Sequence, residues 1–172
     1  AGKTTLLRAL AGLHPLAGGR LHVAGASLGA LSARALRAHR LRRLGVVFQR
    51  FGLLPHLSAV ENVLLPRRLG AGRGPLGGED RERAHRLLAA VGLDDKAGRK
   101  PGALSVGEQQ RVAACRALVH RPAVVLADEP TASLDQAAAE RVMDLLLAEA
   151  ETLLCVSHDP ALRARCDRVV AL

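Results

Sequence analysis

The run Val124-Val125-Leu126-Ala127-Asp128-Glu129-Pro130 constrains this chain more than any other stretch. Four apolar residues in succession, two of them β-branched, read as a short strand buried on both faces, as in a parallel sheet. Two adjacent carboxylates fall where that strand ends, and Pro130 closes it. The C-terminal edge of a parallel sheet is where α/β proteins bind ligands. Placed there, Asp128 can hold a magnesium ion, directly or through water, and Glu129 can polarise a water for attack. Taken alone, such a pair is equally a polar strand end turning into solvent. A phosphate-binding element elsewhere in the chain is needed to give it chemistry.

Ala1-Gly2-Lys3-Thr4-Thr5 supplies one. Followed by the apolar run 6–11, it reads as the end of a GxxxxGK[ST] loop that opens a helix, with Gly12 at the position of a C-terminal cap. Backbone N–H groups of such a loop wrap phosphate oxygens, Lys3 neutralises β and γ charge, and the Thr4 hydroxyl reaches magnesium. Gly2 leaves the backbone free to approach the phosphate. The first glycine of the pattern lies outside the chain, so the reading expects a chain that starts inside the loop and lacks the strand before it. On that expectation the isolated 172 residues bind ATP poorly and are unstable.

Two more side chains belong to the same sheet edge. Residues 45–48 form a buried strand pattern ending in Gln49, whose amide can contact magnesium or the attacking water. Residues 152–156 form another, ending in Ser157-His158-Asp159, where His158 can donate a hydrogen bond to a γ-phosphate. Residues 20–25 read as a short strand, 32–44 as a basic helix opened by a Ser cap, and 167–172 as the start of one more strand. From 51 to about 114 the texture is helical. It contains a Ser58/Glu61 capping box, a Gly/Pro-rich loop at 70–78, and an amphipathic helix over 80–91 with Ala84, Leu87, Leu88 and Val91 on one face. Leu104-Ser105-Val106-Gly107-Glu108 opens a helix running to about 120, with Ser105 and Gly107 where a helix start favours an anion. Ser133-Leu134-Asp135 leads into a helix with Ala138, Val142, Leu145 and Leu146 inward.

The formal net charge of +9 raises a nucleic-acid reading. The arginines are scattered through amphipathic helices, however, and Tyr and Trp are absent with only two Phe, so no aromatic platform for bases exists. No nucleic acid is expected as a partner; a solvated basic surface, facing anionic lipid head groups, accounts for the charge better. No apolar run approaches the roughly 18 residues of a membrane span and no signal peptide is seen, so any spans are expected on another chain. Cys115, Cys155 and Cys166 form no CxxC pattern and no paired framework; Cys115 and Cys155 read as small core residues.

With these residues in order, the chain resembles the ATP-binding subunit of ABC transporters over its whole length. The matching pieces are the Walker A remnant Gly2-Lys3-Thr4-Thr5, the Q-loop Gln49, the signature Leu104-Ser105-Val106-Gly107-Glu108, the Walker B pair Asp128-Glu129, the D-loop Ser133-Leu134-Asp135 and the switch His158. The signature departs from the commonest form, LSGGQ, in that Val106 replaces a glycine. The resemblance implies an α/β P-loop NTPase fold, a mainly parallel sheet flanked by helices, with an α-helical subdomain inserted at about 50–115 and a RecA-like core for the rest of a single domain, 1–172. It also implies an ATPase with ATP and Mg2+ as cofactors. Gly2, Lys3, Thr4 and Thr5 would bind phosphate; Thr4, Gln49 and Asp128 would attend magnesium; Glu129 would act as general base with Gln49 and His158 at the γ-phosphate. In this family two such domains pair head to tail, so that Ser105, Gly107 and Glu108 would face the ATP of the partner subunit and Asp135 would connect the two sites.

Residues 42–63 are similar to the lipoprotein-release, macrolide-export and cell-division group. The resemblance therefore points to an export or lipoprotein-handling system, with transmembrane permease subunits as partners and a cytoplasmic, peripheral place on the inner face of the membrane. Polar amino-acid importers are similar in the same stretch. A soluble, non-transport ABC ATPase is the alternative from another class.

Overall fold

The computed structural model describes residues 2–16, 18–49, 51–70 and 74–170. The first helix, α1 (Lys3–Leu10), starts at Gly2, whose φ of 110° is left-handed backbone open to glycine. A hairpin follows, β1 (His22–Val23) paired antiparallel with β2 (Ala26–Ser27). The single strand expected at 20–25 is thus folded back on itself. Ala24 and Gly25 both have positive φ, 48° and 82°, which makes a two-residue turn of the kind that matches strand twist.

Ser32 caps α2 (Ala33–Arg43) by accepting from the Ala35 N–H, and the chain passes directly into β3 (Leu44–Val47). Three helices then precede the next strand: α3 (Ala59–Arg68), α4 (Gly78–Ala90) and α5 (Val106–Leu118). Ser58 and Glu61 form a reciprocal capping box on α3, and Ser105 and Glu108 form one on α5, so sequence signatures set both starts. The expected loop at 70–78 lies partly outside the described residues, and α4 begins at Gly78. After β4 (Val124–Asp128) come α6 (Gln136–Glu149), β5 (Leu153–Val156) and the short α7 (Pro160–Arg163).

The sheet is parallel in the order β3–β4–β5, with Val47 opposite Ala127 and Asp128 opposite Val156. Alternation along β4 sends its side chains to two layers. Val125 and Ala127 enter a core shared with α3, α4, α5 and α6, while Leu126 packs on the other side with Leu7, Ala11, Val23, Leu28 and Leu44. Helices therefore cover both faces, as a parallel sheet requires. The strand expected at 167–172 lies partly outside the described residues; within them, 167–170 pair with no strand of the described sheet, and Val169 and Val170 stay 51% and 61% exposed. An apolar run without a ladder partner has no reason to hold extended geometry.

Side chains tie the layers together. Arg83 on α4 donates to the Leu118 and Val119 carbonyls at the end of α5 and pairs with Glu149 of α6 at 2.6 Å. His120 donates from Nε2 to the Leu44 carbonyl at 3.1 Å, fixing the exit of α5 to β3. Cys115 is fully buried and its thiol lies 3.3 Å from the Leu87 carbonyl, the small core role that the helix pattern predicts.

Candidate nucleotide site

All three parallel strands deliver their C-terminal ends to one edge. β4 ends at Asp128, a carboxylate only 6% exposed, and β3 leads two residues on to the exposed Gln49. Thr4 and Asp128 line the same small crevice between α1 and the sheet, together with Leu7, Val46, Phe48 and Leu126. A hydroxyl and a carboxylate meeting beside a helix start, with Gly2 carrying no Cβ there, are hard oxygen donors next to a phosphate-binding backbone. This donor set fits a magnesium nucleotide. Lys3 and Thr4 are half-buried on the first turn of α1, and Thr5 is exposed beside them.

Glu129 is held from several directions. Its φ of 49° is left-handed, which an ordinary side chain adopts at a cost of about 1–2 kcal/mol. Bonds to its backbone fix it there: its N–H donates to the Val156 carbonyl at 2.9 Å, and its carbonyl accepts from Gln110 Nε2 at 2.8 Å and from the Ala132 N–H at 3.3 Å. The carboxylate itself accepts from Ser157 Oγ at 3.2 Å, and His158 Nε2 lies 3.8 Å from its other oxygen. The structure thus brings Glu129 and His158 together, both at the edge that carries Asp128. Nearby Cys155, in β5, has its thiol pushed up to about 12, first by burial and then by Cys166, Glu129 and Asp128, so it is an inert thiol beside the carboxylates. Among the described residues no cluster of three ligating side chains has a metal-holding geometry.

Ser105, Gly107 and Glu108 form a second group at the start of α5. Ser105 is exposed and its backbone N–H is held by Glu108, which also pairs with Lys96. The Lys96 ammonium and the Ser105 bonds hold the Glu108 carboxyl below the usual carboxylate range. Val106, where a glycine is commoner, points its side chain outward at 57% exposure and disturbs no packing. Gly107 sits where a Cβ would come 3.1 Å from the Ser133 carbonyl, so the helix start lies directly against the segment leading to Asp135, whose carboxylate caps α6 by accepting from the Ala138 N–H at 2.8 Å.

Gln110, Ser157 and Arg111 escape the sequence reading. Gln110 is 1% exposed on the inward side of α5, and its bond to Glu129 joins the two groups. Arg111 donates to the Val91 carbonyl at 2.7 Å and so anchors α5 to the end of α4. The available signal was a polar amide inside an otherwise apolar helix stripe, since a buried amide must find a partner.

A helix start facing the carboxyl edge of a parallel sheet, with a buried acid on the adjoining strand, defines the class of P-loop nucleoside triphosphatases. Comparison with known proteins narrows it. Residues 1–132 match the family model described as ABC transporter. The chain is 44% identical over its full length to the lipoprotein-releasing system ATP-binding protein LolD 1 of Rhodospirillum rubrum, covering 76% of that protein. It is 43% identical to the macrolide export ATP-binding/permease protein MacB of Chromobacterium violaceum, with 99% of this chain covering 27% of that one. Among solved structures, the ATP-binding cassette MJ0796, a dimer in a post-hydrolysis state bound to ADP and Pi, superposes with a TM-score of 0.86 at 37% identity, over 94% of this chain and 72% of that one. The chain belongs to the ABC transporter family, as an ATP-binding domain: an ATPase coupled to transport. No helix of the described residues is long and apolar enough to cross a membrane.

Proposed function

We propose that this domain is the motor of an export or lipoprotein-handling complex, working in a head-to-tail pair attached to transmembrane permease subunits on the inner face of the membrane. The observation that carries the reading is the meeting of Thr4, Asp128, Glu129 and His158 at one sheet edge. The printed functions of the LolD and MacB relatives supply its direction.

In this reading Gly2, Lys3, Thr4 and Thr5 bind the phosphates of ATP, with the Lys3 ammonium between the β and γ groups. Thr4, Gln49 and Asp128 are the oxygen ligands, direct or through water, for Mg2+, which supplies charge neutralisation when bound. Glu129 orients and deprotonates the attacking water, and His158 donates to the γ-phosphate. Phosphoryl transfer to water is mainly positioning and electrostatics, so a base fixed by its backbone is suited to the task. The exposed start of α5 would present Ser105 and Gly107 to the ATP of the partner subunit, with Glu108 holding the cap and Asp135 at the seam. Residues 50–115 would act as a helical subdomain against a RecA-like core formed by the remainder.

Two experiments on the full-length protein test this. Glu129→Gln is expected to bind ATP, persist as a dimer and lose hydrolysis by about 10²–10⁴-fold; undiminished turnover removes Glu129 from the base role. Affinity capture from native membranes is expected to recover a few-span permease with a large extracytoplasmic domain. Recovery of a many-span permease with a solute-binding protein would replace the export reading by an import one.

A further inference from the structure

The net charge of +9 is not spread over the molecule. Residues 1–60 contain Lys3, eight arginines and no Asp or Glu, whereas residues 61–172 contain 16 cations and 16 anions. Basic residues are scattered along the chain, but the acids that would balance them are confined to its later part. Eight of these nine cations lie in residues 1–47, the segment that builds α1, the hairpin, α2 and β3.

Helix α2 holds five arginines and no acid. Its inward side is occupied: Leu36 packs in the core, His39 Nε2 bonds the Val23 carbonyl at 3.0 Å, and Arg40 donates to the Ala11 and Gly12 carbonyls at the end of α1. Helical spacing puts Arg34, Arg37 and Arg42 on the outward side with Ala38 and Leu41 between them. All three arginines are exposed, and none takes part in the ion pairs of the described residues. They span roughly 12 Å along the helix at its rise per residue. On the flank of this face Leu41 and Leu69 line a cleft of about 320 Å³, and Leu69 is 63% exposed.

We propose that this face of α2 lies on an anionic phospholipid surface, with Arg34, Arg37 and Arg42 paired to head-group phosphates and Leu41 and Leu69 at the boundary with the acyl chains. The proposal rests on the reading that the protein works at a membrane. A convex helix face of guanidinium groups, whose fork matches phosphate, with apolar side chains beside them, suits a lipid surface. Single-stranded nucleic acid would need stacking platforms, and Tyr and Trp are absent from the chain; duplex DNA, which is held through its phosphates alone, is separated by the test.

The test is flotation of the full-length protein with phosphatidylcholine vesicles, with and without phosphatidylglycerol. Binding is expected to need phosphatidylglycerol and to weaken as salt rises. Neutralising the face with R34Q/R37Q/R42Q is expected to lower the partition coefficient about 100-fold. The triple variant R81Q/R86Q/R141Q removes the same charge from exposed positions elsewhere and is expected to bind as the parent does. ATP hydrolysis by both variants, measured without lipid, is expected to match the parent and shows that they fold. Equal losses in the two variants would overturn the proposal in favour of net charge. No binding by the parent, or equally tight binding to duplex DNA, would overturn it as well. The vesicles hold no other protein, so failure here leaves the transport reading intact, which membrane capture tests separately.

Discussion

Glu129 owes its position to the backbone and amide groups around it. Its left-handed backbone is pinned by the Val156 carbonyl on one side and by the Gln110 amide on the other, and only then does its carboxylate meet Ser157 and His158. Gln110 is buried, so Gln110→Leu removes the shorter of the two bonds to the Glu129 carbonyl and leaves only that from the Ala132 N–H at 3.3 Å, a loss of about 1 kcal/mol of stability. If the amide also sets where the carboxylate points, kcat falls by about 10–100-fold with KM for ATP little changed. Steady-state kinetics together with thermal unfolding separate the two effects. A variant that loses stability but keeps kcat would show that Gln110 only supports the fold.

Elements here are set partly by local signals and partly by contacts that no local signal carries. Gly45 in β3 is the clearest case of the second kind. A Cβ at that position would lie 2.2 Å from the Ala117 carbonyl oxygen and 3.0 Å from Pro122 Cγ, so α5 can pack on the strand only because the side chain is missing. Gly45→Ala is expected to cost about 2–3 kcal/mol and lower Tm by roughly 5–10 °C, whereas Gly102→Ala, with open space around it, leaves Tm within about 1 °C. Differential scanning calorimetry of both variants checks this. The same division explains what was legible in the sequence. The strands ending near Gln49, Asp128 and His158 and the caps at Ser32, Ser58 and Ser105 are written in apolar runs and cap residues, and they appear where the patterns place them. The Ala24-Gly25 turn, the Gly45 contact, the Arg83 clamp and the Gln110 bond join residues whose meeting depends on the finished packing, and a single sequence does not encode such pairs locally. Over the described residues 167–170 the pattern errs in the opposite sense, because an apolar run becomes a strand only when a neighbour offers a ladder.

Across the whole molecule, stability should depend on pH through groups far from the nucleotide site. His120 is buried, and burial, followed by the fields of Arg67 and Arg83, lowers its pKa against the pull of its bond to the Leu44 carbonyl. A histidine with a lowered folded pKa is neutral in the fold and takes up a proton on unfolding. Its contribution is therefore complete above the unfolded value of about 6.5 and is lost as pH falls through that range. Tm should decline between about pH 7.5 and pH 5.5, and His120→Gln, which keeps a donor for Leu44, should flatten that slope. Glu61, Asp80 and Glu108 act in a lower window. Their pKa values are lowered by Ser58, Arg67 and Lys96 respectively, so what they add is present above the usual carboxylate range and disappears only in stronger acid. An unchanged slope in His120→Gln would assign the near-neutral transition to other groups.

The backbone at Glu129 carries one more implication. A glycine would adopt φ 49° without penalty, so by the criterion of heat resistance alone position 129 invites replacement. Any selection for thermal endurance that does not also demand ATP turnover will drift toward that substitution and discard the carboxylate. With Glu129 as the proposed general base, libraries built on this scaffold need an activity screen in every round, or they will enrich well-folded proteins that no longer hydrolyse ATP.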